Sequence, residues 1–332
     1  MIRVAINGFG RIGRLVYRIM HDDPEFEIVA INDLTDSNQL AYLLKYDTSH
    51  RTYNRDITSD ESGIIVDGKA TKVYSEQDPK NLPWRDLDID VVFECTGVFT
   101  EKEKAYAHIE AGAKKVIISA PAKGDLKTVV YNVNHNILNG SEQIISAASC
   151  TTNCLAPVLN IMDYYFKIKK GFMTTVHAYT NDQANLDVSH KKGHESRRGR
   201  ASAANIVPTS TGAASAIGKV LPQLEGKLDG TSMRVPVTTG SVIDLVLELE
   251  KNTTIEEVNK AFEINQNETI QITKDPIVSS DIIGSTVGAL VDTMLTNILE
   301  VDGKQLVKVV AWYDNEMGYS AQMVRLAKLL KK

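Results

Sequence analysis

The stretch Gly8-Phe9-Gly10-Arg11-Ile12-Gly13 limits the possible folds of this chain more than any other, because of what flanks it. Ahead of it lies the strand-like run Arg3-Val4-Ala5-Ile6-Asn7, and behind it Ile12, Leu15, Val16, Ile19 and Met20 recur at helical spacing. Strand, glycine turn and helix in immediate succession are the context that a dinucleotide fingerprint requires. The glycines permit a tight turn and a close backbone approach, and a pyrophosphate then rests on the positive end of the helix dipole. A second apolar run, Glu27-Ile28-Val29-Ala30-Ile31-Asn32, leads into Asp33, placed where an acidic residue takes the adenosine ribose hydroxyls. A bare glycine pattern is weak; a carboxylate behind a second strand makes it specific.

The same rhythm continues to about residue 149. Val91-Val92-Phe93-Glu94 precedes a helical pattern over residues 102–110, and Lys115-Val116-Ile117-Ile118-Ser119 follows, so a parallel sheet with helices on its faces is expected. Within residues 49–90 the short runs Gly63-Ile64-Ile65-Val66 and Ala70-Thr71-Lys72-Val73 read as an antiparallel elaboration. Beyond Cys150 the pattern changes to alternating stretches over 241–250, 288–294 and 306–312, which suit an antiparallel or mixed sheet with one covered face. Helices are expected over 254–264 and from Met317 to the end, and Pro157 implies a kink or a lost backbone bond in the helix that Cys150 opens. A chain of 332 residues exceeds one ordinary core. The fold class is therefore α/β: an N-terminal Rossmann-type dinucleotide-binding domain over 1–149 and an α+β catalytic domain over 150–316. Residues 180–208 lack periodicity, and so long an irregular segment is either functional or disordered.

A net charge of −5 argues against nucleic acid as a primary partner, and the local basic cluster Lys191, Lys192, Arg197, Arg198 and Arg200 reads as a solvated loop. Cysteines occur at 95, 150 and 154, an odd number with no secretory leader, which points to free thiols in a reducing, cytoplasmic setting. No apolar run of about 18 residues is present to span a membrane. Cys150 and Cys154 share a helix face, but two thiols without further ligands make a poor zinc site and adjacent-turn geometry disfavours a bridge, so no metal is expected.

Cys150 follows the apolar run Gln143-Ile144-Ile145-Ser146-Ala147-Ala148 and opens a helix, with Ser149 as its N-cap. Unpaired N–H groups and a partial positive charge at a helix start favour thiolate, lowering the thiol pKa from its free value of about 8.5. Taken alone, such a Cys is as often a small buried residue. A thiolate beside a nicotinamide, however, suggests one chemistry: attack on an aldehyde, then loss of hydride to leave a thioester. That step needs a base, and His177 ends the strand-like Phe172-Met173-Thr174-Thr175-Val176-His177 at the edge of the irregular loop.

These motifs, with others in order along nearly the whole chain, resemble the phosphorylating glyceraldehyde-3-phosphate dehydrogenase family, the glycolytic enzyme. The landmarks are NGFGRIG at 7–13, ECTGVF at 94–99, SAPAKGD at 119–125, SCTTNCLAP at 149–157, HAYTNDQ at 177–183, STGAA at 210–214 and WYDNEMGYS at 312–320. The resemblance implies Cys150 as nucleophile and His177 as base, with the Cys150 amide in the oxyanion site. Thr180, Arg198 and Arg234 match positions for the substrate's phosphate, and Ser149, Thr151, Thr211 and Gly212 match those for inorganic phosphate, all suitable donors to a tetrahedral oxyanion. Arg197 and Arg200 compete with Arg198 for register, because the loop before them is lengthened. Asn7, Gly8, Gly10, Arg11, Ile12, Gly13, Asp33, Gln77, Thr96, Gly97 and Ser119 match dinucleotide contacts, and Asn315 matches the amide that fixes the nicotinamide carboxamide. Gln77 stands where the family often has a basic residue, and Val188-Ser189 replaces a Leu-Pro pair; Asp33, which repels a 2′-phosphate, remains, so NAD is the expected cofactor. The resemblance further implies a first domain completed by the helix at 317–332 and a homotetramer in which residues 180–208 lie between subunits. Erythrose-4-phosphate dehydrogenase is the alternative activity, and a surface or RNA-binding role a secondary one.

Overall fold

The computed structural model describes residues 1–191 and 193–330, so Lys192 of the basic cluster and the last two positions of the expected C-terminal helix lie outside the described residues. The chain forms two compact units, Met1–Ser149 with the end of the chain from Ser320, and Cys150–Tyr319. The second break falls within the last helix.

In the first unit the elements run β1 (Ile2–Asn7), α1 (Arg11–His21), β2 (Phe26–Asn32), α2 (Ser37–Lys45), β3 (Ile57–Asp60), β4 (Gly63–Val66), β5 (Lys69–Tyr74), β6 (Val91–Glu94), α3 (Lys102–Glu110), β7 (Lys115–Ile118) and β8 (Ile144–Ser146). They build one sheet in the order β3-β4-β5-β2-β1-β6-β7-β8, parallel from β5 to β8. Val4, Ala5 and Ile6 are wholly buried, as a central parallel strand covered on both faces requires. The β3–β4–β5 segment is antiparallel, and Asp67-Gly68, both at positive φ, make the tight turn between β4 and β5. Register matters most at β1, where Asn7 lies level with Asn32 of β2 on one side and Glu94 of β6 on the other. The strand order reverses here, and the crevice at such a reversal is where doubly wound sheets take their ligands.

The second unit holds α4 (Cys150–Phe166), β9 (Ile168–Ala178), β10 (Val207–Ser210), β11 (Leu228–Val235), β12 (Ser241–Leu249), α5 (Ile255–Ile264), β13 (Ile270–Thr273), β14 (Ala289–Asp292), β15 (Asn297–Val301), β16 (Lys304–Tyr313) and the start of α6 (Met317–Leu330). Its sheet runs β10-β11-β9-β12-β16-β14-β13, with β15 on β16, and is mixed, since β9–β11 and β13–β14 are parallel. Alternate residues of β12, Ser241 through Leu249, are buried, which shows the one covered face. Thr254 and Glu257 form a capping box that starts α5. The largely buried α4 runs unbroken through Pro157, so the proline forfeits only the N–H its ring lacks. The described residues of 180–206 hold little regular structure, yet the segment is tied to itself by Val188 N to Gly199 O at 2.9 Å and Ser202 N to Ala184 O at 2.9 Å.

Candidate active site

The odd-numbered residues Met173, Thr175 and His177 of β9 point to the covered face, so strand parity delivers the imidazole to the start of α4. Cys150 Sγ lies 3.4 Å from His177 Nε2. On the other side of the ring, Nδ1 is 2.6 Å from Ala178 O, and Arg234 Nη1 is 2.9 Å from both Nδ1 and that oxygen. Nδ1 thus has an acceptor at 2.6 Å and a donor at 2.9 Å; the shorter contact assigns its proton to the carbonyl, to which Arg234 also donates, and leaves the Nε2 lone pair facing the sulfur. Arg234 reaches this place because β11 runs parallel to β9 with Arg234 opposite His177.

Burial first, and the Arg234 charge second, hold the His177 imidazole neutral, its pKa brought down to about 3. Burial also pushes the Cys150 thiol up, opposed by the Arg234 charge, the Thr151 hydroxyl and the first helical amides. The helix start therefore acts on this sulfur in the expected direction, but desolvation outweighs it and the net shift is upward, which corrects the lowering expected from the sequence. The Cys154 thiol is raised well above its usual range by burial, and Cys95 is pushed up to about 12 by burial and the Glu94 charge. All three are free thiols.

Arg198 anchors the irregular loop to the end of β10, through Nε to Thr209 Oγ1 at 2.9 Å and Nη2 to Ser210 O at 3.3 Å, and pairs with Asp182. Its charge acts on both His177 and Arg234. Arg200 pairs instead with Asp187, and Arg197 is exposed on the wall of a cavity of about 530 Å³ beside Arg198. Arg234 Nε is buried with no acceptor among the described residues, as is Gln183 Nε2, a donor that the sequence reading did not single out. Thr151 is buried with its hydroxyl 2.9 Å from Tyr313 Oη, which also meets Thr175 Oγ1 at 2.8 Å. Thr180 O accepts from Gln183 N, while Thr211 and Gly212 form the turn after β10, where the Thr211 hydroxyl accepts from Ala213 N. Ser149 is half-buried. Asn315 Oδ1 accepts from Ser241 Oγ at 2.8 Å and Gly240 N at 3.2 Å, which turns its Nδ2 outward from those partners.

In the first unit, a cavity of about 440 Å³ is lined by Asn7, Gly8, Gly10, Asp33, Gln77 and Thr96, among others. The glycines divide the work of the turn. Gly8 takes φ +89° and a Cβ there would stand 2.7 Å from Thr96 N; one at Gly13 would stand 2.2 Å from Gly8 O; one at Gly10 would meet nothing within 4 Å. The open side at Gly10, ahead of the first amides of α1, fits a pyrophosphate. Asp33 accepts from Phe9 N at 2.7 Å and Thr35 N at 3.0 Å, which holds its carboxylate at the cavity wall. The Arg11 side chain turns to Asp47, so at the turn it offers backbone only, with Ile12 half-buried behind it. Gly97, at φ +72°, follows Thr96, and Ser119 N donates to Glu94 O at 2.9 Å. Asn32 also lines this cavity, and the buried Glu94 holds Asn7 and Thr96 of its wall; residue type alone does not mark either, but their place at the ends of β2 and β6 does.

A family model described as glyceraldehyde 3-phosphate dehydrogenase, NAD binding domain, matches residues 2–102, and one described as glyceraldehyde 3-phosphate dehydrogenase, C-terminal domain, matches residues 149–315. The chain belongs to the glyceraldehyde-3-phosphate dehydrogenase family. It is 57% identical over 332 residues to the glyceraldehyde-3-phosphate dehydrogenase of Clostridium pasteurianum, covering 100% of this chain and 99% of that protein. It is 53% identical over 333 residues to that of Streptococcus pyogenes, again covering 100% and 99%. The first unit accordingly carries the family's NAD-binding domain, and the enzyme is an NAD-dependent oxidoreductase.

Proposed function

We propose that this chain oxidises D-glyceraldehyde 3-phosphate with NAD and inorganic phosphate to 1,3-bisphosphoglycerate, with Cys150 as nucleophile and His177 as base. The observation that carries it is the 3.4 Å approach of Sγ to a neutral Nε2 in a chain of this family. The Cys150 proton passes to Nε2 as sulfur attacks the aldehyde carbon, and returns to the oxygen to complete a thiohemiacetal, while the Cys150 amide stabilises the developing oxyanion. Bound NAD supplies the hydride acceptor. His177 takes the hemiacetal hydroxyl proton as the carbon becomes a thioester carbonyl, and inorganic phosphate then displaces the thiolate.

Arg198, Arg234 and Thr180 are proposed to hold the substrate's phosphate, and Ser149, Thr151, Thr211 and Gly212 the attacking one. The orphan Nε of Arg234 supports an anion there. A phosphate on the arginines offsets the charge that depresses His177 and so raises its basicity when the reaction needs it. Asn7, Gly8, Gly10, Arg11, Ile12, Gly13, Asp33, Gln77, Thr96, Gly97 and Ser119 are proposed to hold NAD, and Asn315 would supply the amide for its carboxamide. We also propose a homotetramer acting in the cytoplasm, supported by exposed Leu186, Val188 and Ile206 on the irregular loop and by thiols that are all free.

The test is NADH formation from glyceraldehyde 3-phosphate with and without phosphate, followed by intact-mass detection of the acyl-enzyme. Phosphate-dependent turnover and a single adduct mapping to Cys150 are expected, since burial raises all three thiols but Cys150 has the His177 imidazole at 3.4 Å to take its proton. Turnover that ignores phosphate would exclude this reaction, and an adduct on another residue would exclude Cys150.

A further inference from the structure

Beneath the dinucleotide cavity lies a chain of buried polar groups that the proposed reaction does not use. Trp84 Nε1 donates to His108 Nδ1 at 3.0 Å, and His108 Nε2 stands 3.0 Å from Glu94 Oε2. An indole nitrogen only donates, so Nδ1 is an acceptor and the His108 proton sits on Nε2, aimed at the carboxylate. Glu94 Oε2 also receives Asn7 Nδ2 at 2.5 Å, while Oε1 receives Thr96 N at 2.8 Å and the Thr96 hydroxyl. Asn7 Oδ1 in turn accepts from Asn32 Nδ2 at 2.7 Å, and Asn32 Oδ1 accepts from Glu76 N at 2.9 Å. His108 is 0% and Glu94 1% exposed. Asn7, Asn32, Glu76 and Thr96 line the cavity, whereas His108 stands behind it, its ring flanked by those of Trp84 and Phe99.

We propose that His108 is a positioning residue for the dinucleotide, acting through Glu94; the proposal rests on the cavity being the NAD site. A buried carboxylate persists only while donors satisfy it. Glu94 takes its donors from two sources, the cavity wall through Asn7 and Thr96, and the interior through His108. Withdrawing the interior donor leaves the carboxylate to draw on the wall residues alone, which shifts the groups that face the ligand. The whole chain of bonds lies in the first unit, so its effect is on NAD affinity rather than on the thiol chemistry.

His108→Phe and His108→Gln in the full-length protein test this, with NAD affinity read by fluorescence titration and turnover by NADH absorbance. Phenylalanine keeps the ring and loses the donor; glutamine can accept from Trp84 and donate to Glu94. Loss of one charge-assisted hydrogen bond predicts a Kd and KM for NAD about tenfold higher in His108→Phe, with kcat at saturating NAD within about twofold of wild type. The glutamine variant is expected to return both constants to within about threefold. An unchanged Kd in folded His108→Phe, or a glutamine variant as weak as the phenylalanine one, overturns the proposal. Should His108→Phe fail to fold, Trp84→Phe removes the donor that sets the His108 tautomer: several-fold weaker NAD binding supports the role, and unchanged binding overturns it. Wild-type protein that binds no NAD would refute the reading of the cavity itself, and the positioning role with it.

Discussion

His177 stands between a thiol and a guanidinium, and that setting decides when it can carry a proton. Its pKa of about 3 in the folded chain lies below the ordinary imidazole value of about 6.5. Between those values the unfolded chain binds a proton that the native chain does not, so stability rises with pH across the window. The His177 contribution is complete above about pH 6.5 and is lost as pH falls toward 3. Denaturant midpoints should therefore fall between pH 6.5 and 5 in the wild type and fall less in His177→Gln, whose kcat should drop by about 10²- to 10⁴-fold. Parallel midpoint curves for the two proteins would contradict this. The role proposed for Asp33 concerns a different choice. Its carboxylate, fixed by two backbone amides, opposes a 2′-phosphate, so Asp33→Ala should raise the NADP-to-NAD ratio of kcat/KM by about tenfold. A ratio that stays constant would show that Asp33 does not set the preference. Cys150 and His177 could be picked out from residue type and local context, whereas Glu94 and His108 could not. Their partners lie 87 and 24 residues away at Asn7 and Trp84, and only the folded sheet brings them together.

At the scale of elements, strands and helices followed from periodicity, because each is written in neighbouring residues. Strand β6 and helix α3 fall at their expected bounds, and the sheet beyond Cys150 is mixed rather than wholly antiparallel. The partnership of β9 with β11 was not legible, since strand alternation says which face a residue takes but not which strand lies alongside. That pairing is what sets Arg234 against His177. The junction of α4 and β9 yields a direct test. Lys167 adopts φ +57°, donates its N–H to Asp163 O at 3.2 Å and is exposed, the setting of a helix C-terminal cap that glycine fills without strain. Lys167→Gly should therefore raise stability by about 1 kcal/mol in chemical unfolding. A loss of stability of that size would show that the Lys167 side chain contributes more than its backbone strain costs.

For the whole molecule, the homotetramer proposed above predicts that sedimentation gives a mass about four times that of the chain. Replacing exposed Leu186 and Val188, 76% and 62% accessible in the single chain, by Asp should shift the population toward smaller species without unfolding it. A fully active monomer in the wild type would exclude the assembly. The amino-acid order by itself determined the glycine turn, the carboxylate behind the second strand, the cysteine at a helix start and the change of rhythm at Cys150, all of which depend on contacts within a few residues. Tertiary structure alone decided the proton balance. Whether the Cys150 thiol is lowered by its helix or raised by its surroundings, and which tautomer His177 adopts, depends on burial and on an arginine 57 residues away along the chain. Desolvation and long-range charge belong to the packed molecule, and no local pattern encodes their sum.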